Sequence, residues 1–151
     1  MTVMPRLVLI RGLPGSGKST MAAQLAACGY VHFETDQYFE RRGRYRFRAS
    51  QLSEAHAWCE DRVTAALAAG LPVVVANTFT RLWEMDAYLS MWPEVVVIEA
   101  TGTWPSVHGV PPDKVDDMRE RWEALAPAAG VTLMTCDELL AALPPRPASV
   151  S

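Results

Sequence analysis

The apolar run Leu7-Val8-Leu9-Ile10 is followed, after Arg11, by Gly12-Leu13-Pro14-Gly15-Ser16-Gly17-Lys18-Ser19, and a helical pattern begins at Lys18. Few folds place a strand, a glycine loop and a helix in that order. The spacing is GxxxxGK[ST], with Thr20 next, in the strand-to-helix context that a phosphate-wrapping loop needs. The glycines allow the chain to turn until successive amides converge on an anion, and the following helix adds the partial positive charge of its N-terminus. Gly12, Leu13, Pro14, Gly15, Ser16, Gly17, Lys18, Ser19 and Thr20 are therefore the expected nucleotide cradle. Lys18 is expected on the β- and γ-phosphates, and the Ser19 hydroxyl on Mg²⁺.

The rest of the chain alternates. The pattern predicts strands at Arg6–Arg11, Tyr30–Glu34, Val73–Ala76, Val95–Ile98 and Val131–Met134. Helices are expected at Lys18–Cys28, about Ser50–Ala69, around Arg81–Met91, from Pro111-Pro112 through Leu125, and at Asp137–Leu143. The helix over 50–69 carries Leu52, His56, Cys59, Val63 and Leu67 as its apolar stripe, which makes His56 a core histidine. Strands that alternate with helices imply one parallel sheet covered on both faces, with ligands at the carboxyl ends of the strands. Residues 1–143 read as one domain, and 144–151 as a disordered tail.

Composition narrows the class. Half of the 151 residues are hydrophobic and the net charge is −3, so the chain is globular and shows no overall basic character. No apolar run approaches a membrane span, and the N-terminus lacks a signal-peptide layout. Three cysteines without metal-ligand spacing suit a reduced, cytoplasmic protein. Charge is nevertheless uneven: Arg41, Arg42, Arg44, Arg46 and Arg48 cluster around Tyr45 and Phe47. Such a segment reads either as a solvated loop or as a grip on single-stranded nucleic acid, with guanidiniums on phosphates and rings under bases.

Polar residues gather where strands end. Glu34-Thr35-Asp36 closes the second strand, where a carboxylate can take the proton of an attacking hydroxyl; Asp36 reads equally as a turn or cap residue. Asn77 closes the third, where an amide can orient a metal-bound water without adding charge. Glu99 closes the fourth and reads as structural. His108 sits in a loop before Pro111 and is a weak candidate.

The segments RGLPGSGKST, ETDQYF, YRF with EAHAWC, VVVANTFTRLWEM and HGVPPDKVDDMRERWE occur in this order between Arg6 and Glu123. In this the chain resembles the small P-loop kinases related to the 5′-hydroxyl kinase domain of phage polynucleotide kinase. The resemblance implies a three-layer α/β/α fold, adenylate-kinase-like, with five parallel strands in order 2-3-1-4-5. It also implies ATP- and Mg²⁺-dependent transfer to a hydroxyl, with Asp36 as general base and Asn77 where polynucleotide kinases have an acidic or amide residue; the cluster itself offers Arg41, Arg44 and Arg46, with Asn77, for the acceptor. Single-stranded nucleic acid is one acceptor that fits; a small-molecule acceptor, or nucleotide binding without transfer, stays open. Such kinases usually carry a lid arginine, yet no arginine or lysine lies between Glu99 and Pro111. Arg119 or Arg121 of the next helix, Arg121 foremost, is expected to supply that charge.

Overall fold

The computed structural model describes residues 4–40, 47–103, 109–126 and 128–144. Five strands form one sheet: β1 (Leu7–Arg11), β2 (Val31–Phe33), β3 (Val73–Asn77), β4 (Val95–Glu99) and β5 (Val131–Leu133). Their order across the sheet is β2-β3-β1-β4-β5, and every pairing is parallel. The expected topology is thus the observed one. Parallel neighbours demand crossovers, supplied mainly by α1 (Lys18–Ala27), α2 (Leu52–Ala68), the one-turn α3 (Asp86–Leu89) and α4 (Pro112–Arg121), with α5 (Cys136–Ala142) closing the chain.

The central strands are apolar on both faces because both faces are covered. Leu7 and Leu9 of β1, with Val73 and Val75 of β3, pack with Cys59, Val63 and Leu67 of α2 and with Met85 and Tyr88 around α3. The alternate residues Val8, Ile10, Val74 and Ala76 point the other way, onto Ala22 and Leu25 of α1 and Leu139 of α5. α5 is started by a reciprocal cap: Thr135 accepts from the Glu138 amide at 3.0 Å, and Glu138 accepts from the Thr135 amide at 3.1 Å.

Three segments depart from the sequence expectation. α2 buries Ala55, Cys59, Val63, Ala66 and Leu67, whereas Leu52 and His56 are exposed. His56 is therefore not a core histidine. The segment over 81–91 divides into a 3-10 turn, Leu82–Met85, and the short α3. α4 stops at Arg121, and Trp122 and Leu125 lie beyond it, because Trp122 adopts extended backbone (ψ 126°). The reason is a contact of Trp122 described below. The arginine-rich stretch 41–46, His108 and residues 145–151 of the expected tail lie outside the described residues.

Candidate active site at the carboxyl edge of the sheet

β1, β3 and β4 end in register, with Arg11 opposite Asn77 on one side and Glu99 on the other. Just beyond this row the glycine loop leaves β1. The Gly12 amide donates to the Thr78 carbonyl at 3.2 Å, and the Gly102 amide donates to the Ser16 carbonyl at 3.0 Å. The loop is thereby fastened to the chain beyond both neighbouring strands. A side chain at Gly12 would strike Ser16 Oγ and stand 2.9 Å from the Ala100 carbonyl. Gly17 caps α1 at φ 96°, in the left-handed region that favours glycine.

Lys18 opens α1 and folds back so that its Nζ donates to the Leu13 carbonyl at 3.0 Å. Burial lowers its pKa, while the carboxylates of Glu34 and Asp36 act in the opposite direction. β2 ends at Phe33, and Thr35–Glu40 forms a 3-10 turn, so Glu34 stands at the break and Asp36 in the first turn. Lys18, expected on the phosphates, and Asp36, expected at the acceptor, thus stand at the same end of the sheet.

Glu34 does more than sequence reasoning assigned to it. Ser19 Oγ donates to Glu34 Oε1 at 2.6 Å, and His32 Nε2 lies 3.0 Å from the same oxygen. Burial pushes the Glu34 carboxyl up, but the hydrogen bonds from His32 and Ser19 and the charges of His32 and Lys18 bring it below its ordinary value. Among the described residues no group of three His, Cys, Asp or Glu could hold a metal. Ser19 and Glu34 instead offer two oxygens side by side, the donor type that a hard cation accepts when phosphates complete its shell.

Asn77 does not face open space. Its Oδ1 accepts from the Thr35 amide at 2.9 Å, which ties the end of β3 to the turn that bears Asp36. Thr35 is 5% exposed, and its hydroxyl lies 3.2 Å from His56 Nδ1.

The sequence pattern makes Arg11 only the end of the first strand; the structure gives it a larger part. It is fully buried. Its Nε and Nη2 donate to the Phe79 carbonyl at 3.1 and 2.8 Å, and Nη2 also reaches the carbonyls of Thr80 at 3.3 Å and Glu123 at 2.8 Å. The guanidinium carbon sits 3.8 Å from the Trp122 ring centroid, which is why the chain leaves α4 at that residue. Phe79, a non-glycine residue at φ 46°, is held in this strained state by the arginine on its carbonyl. A cation that closes an apolar strand directly before a glycine loop is the signal that could have marked Arg11.

A cleft of about 490 Å³ opens between the loop and α4. Leu13, Pro14 and Ser16 form one wall, Thr101 to Thr103 the floor, and Val115, Asp116 and Arg119 the other wall. Arg119 pairs with Asp116 at 2.8 Å. Arg121 is exposed and is not among the lining residues. Two residues along a helix turn a side chain through roughly 200°, so Arg119 and Arg121 occupy opposite faces.

On the opposite flank Tyr38, Phe39, Phe47 and Trp58 pack edge-on. Phe39 and Phe47 have ring centroids 5.1 Å apart, and Tyr38 and Trp58 6.0 Å. Phe47 keeps 51% of its surface exposed, so ring area stays free beside its contact with Phe39.

Residues 7–101 match the family described as an AAA domain. NEDD4-binding protein 2 of Homo sapiens is 34% identical over 133 residues, a match covering 78% of this chain and 8% of that protein. The chain thus spans under a tenth of that relative. Among solved structures, a sugar kinase from Janibacter sp. HTCC2649 superimposes with a TM-score of 0.67 at 16% identity, over 91% of both chains. A chain of the Pnkp1/Rnl/Hen1 complex gives 0.54 at 19% identity, over 83% of this chain and 41% of that one. With its parallel sheet, its glycine loop and more than half of its length matched, this chain belongs to the AAA domain family and has the small P-loop kinase fold.

Proposed function

We propose that the protein is a phosphotransferase that moves the γ-phosphoryl group of ATP to a hydroxyl of a nucleic acid or nucleotide. The observation that carries this reading is the placement of Lys18, at the start of α1 beyond β1, and Asp36, in the first turn beyond β2, at the same end of a parallel sheet. A phosphate loop with an acceptor-side carboxylate beside it is equipment for transfer rather than for binding alone.

The loop amides and Lys18 hold the β- and γ-phosphates, and Lys18 exchanges the Leu13 carbonyl for a phosphate oxygen. Ser19 and Glu34 would hold Mg²⁺, which would supply neutralising charge to the nucleotide. Asp36 takes the proton of the acceptor hydroxyl as its oxygen bonds to the γ-phosphorus. The bond from that phosphorus to the β–γ bridging oxygen breaks, and ADP leaves with the electron pair. Arg119, on the cleft wall, opposes the charge of the group in flight and takes the part first given to Arg121.

Arg41, Arg44 and Arg46 directly follow the turn of Asp36, and Phe47 offers an open ring beside them, which favours a single-stranded acceptor. A small-molecule acceptor is the second reading, favoured by the likeness to a sugar kinase across 91% of both chains. Residues 1–143 act as one kinase unit. Three free cysteines and the absence of a membrane-spanning helix among the described residues suit the cytoplasm.

The test is transfer from γ-labelled ATP to 5′-hydroxyl oligonucleotides and to a panel of nucleosides, modified bases and sugar nucleotides. Asp36→Asn should lower turnover by roughly 10²–10⁴ while ATP affinity holds. Normal turnover would make Asp36 a turn residue, and a lost Mg²⁺-ATP affinity would make it a metal ligand. No transfer to any acceptor by the wild type, with ATP still bound, would leave a binding module.

A further inference from the structure

The turn that carries Asp36 is held from beneath by side chains remote in sequence. Thr35, its nearest neighbour, is gripped at both ends: Asn77 Oδ1 takes its amide proton at 2.9 Å, and His56 Nδ1 meets its hydroxyl at 3.2 Å. The amide bond spans 42 residues, from the end of β3 to the break after β2. Below Asn77 the packing is dense. Cys59 is 0% exposed and Tyr88 2%, and the Tyr88 hydroxyl and Cys59 thiol lie against each other and against the Asn77 amide. Asn77 Nδ2 and Tyr88 Oη are buried without completing a hydrogen bond. Of the Asn77 side chain, the oxygen is engaged, on the Thr35 amide, and Nδ2 is not.

We propose that Asn77 is a positioning residue that sets Asp36 against the acceptor hydroxyl by fixing the backbone of Thr35, and that it does not contact the acceptor. This rests on the reading of Asp36 as general base. The Asn77 acceptor oxygen is already taken by a backbone amide, and the amide group points into the α2–α3 side of the core. The geometry also explains why an amide rather than a carboxylate suits the end of β3. An acceptor for the Thr35 amide is required, and a second charge packed against Tyr88 and Cys59 would lack a partner.

Two measurements decide it. The first is amide exchange at Thr35 followed by NMR on the whole chain. Asn77→Ala should speed it by at least about tenfold, the expectation for loss of a net hydrogen bond of about 1.4 kcal/mol. Asn77→Leu keeps the side-chain volume without the acceptor oxygen and should speed exchange likewise, so it serves if the alanine variant fails to fold. Unchanged Thr35 exchange in Asn77→Ala overturns the proposal.

The second is a cycle in phosphorylation of a 5′-hydroxyl DNA oligonucleotide. Asn77→Ala should lower kcat by up to roughly 10², the cost of a misplacement near 1 Å, with KM for the oligonucleotide unchanged. Added to Asp36→Asn it should lower kcat no further, because it acts through that carboxylate. An equal loss in both backgrounds, or a raised oligonucleotide KM, overturns the positioning role. If Asp36→Asn alone turns over normally, the general-base reading falls instead. If the wild type does not phosphorylate the oligonucleotide, the acceptor reading falls, and Thr35 exchange still decides the grip of Asn77.

Discussion

The guanidinium carbon of Arg11 lies 3.8 Å from the Trp122 ring centroid, and through this contact the strand that leads into the phosphate loop is tied to the end of the helix that carries Arg119. The same arginine holds three backbone carbonyls, those of Phe79, Thr80 and Glu123. Arg11→Met keeps the apolar stem and removes every donor. Each carbonyl left dry should cost about 1–3 kcal/mol, so the variant should unfold at markedly lower urea. Trp122→Phe keeps a ring and should cost under about 1 kcal/mol, a small part of the cation–π energy. Equal midpoints for Arg11→Met and wild type would mean that water replaces the arginine.

Glu34 gives a pH signature with a definite sign. Its carboxyl sits below its ordinary value of 4.5 in the folded protein. Between that lowered value and 4.5 the unfolded chain binds more protons, so stability rises with pH there. The contribution is complete above the unfolded value and vanishes as pH falls through the folded one. Glu34→Gln should therefore flatten the acid limb of a stability profile measured from about pH 6 to about pH 3. An identical limb in both proteins would show that the bonds from Ser19 and His32 do not hold the charge.

Gly17 and Gly12 fail differently when a methyl group is added. Gly17→Ala must accept φ 96° at the start of α1, which should destabilise the chain by about 1 kcal/mol or more. Gly12→Ala meets Ser16 Oγ and the Ala100 carbonyl, so the loop itself must shift. Thermal shifts with and without ATP separate the two. Gly17→Ala should lower the midpoint in both conditions, whereas Gly12→Ala should also erase the gain from ATP. Retention of that gain in Gly12→Ala would remove the cradle from this loop.

The arginine segment is tested by salt. If it grips a phosphate backbone, log affinity for a short single strand should fall with log salt by about 0.7 per contacted phosphate. Arg44→Ala with Arg46→Ala should make the slope shallower by up to about 1.4. Phe47→Ala should leave the slope alone. It should weaken binding by about 1–3 kcal/mol if the ring stacks on a base. A lowered melting temperature with intact affinity would limit Phe47 to its contact with Phe39. Salt-insensitive activity on a free metabolite would favour the small-molecule reading.

What the sequence disclosed was local or periodic. The glycine loop announces itself because its residues are contiguous, and the alternation of strands and helices names the sheet because each element is short and cleanly bounded. What it withheld depends on distant partners. Nothing near Arg11 in the chain mentions Glu123, 112 positions on. Helical spacing carried α4 through Trp122 because a tryptophan at that interval looks like core, and only its stack on Arg11 draws it out. His56 was given to the core by the same periodicity, although the buried face of α2 runs through Ala55 one position earlier. In the sequence, Glu34-Thr35-Asp36 reads as the close of the second strand. The strand ends before both, at Phe33, and Asp36 belongs to the 3-10 turn that follows.

The two hydrogen bonds that fasten the glycine loop, from the Gly12 amide to the Thr78 carbonyl and from the Gly102 amide to the Ser16 carbonyl, bear on the thermodynamics of its ligand. A loop free to wander would give up backbone entropy of about 1–2 kcal/mol for each residue it froze around an incoming phosphate. Here much of that ordering is complete before any ligand arrives, and it was accomplished when the sheet formed. Nucleotide entry should consequently look like capture by a rigid mould. Its association rate should be set by diffusion and charge, and its tightness decided almost wholly by how slowly the nucleotide leaves.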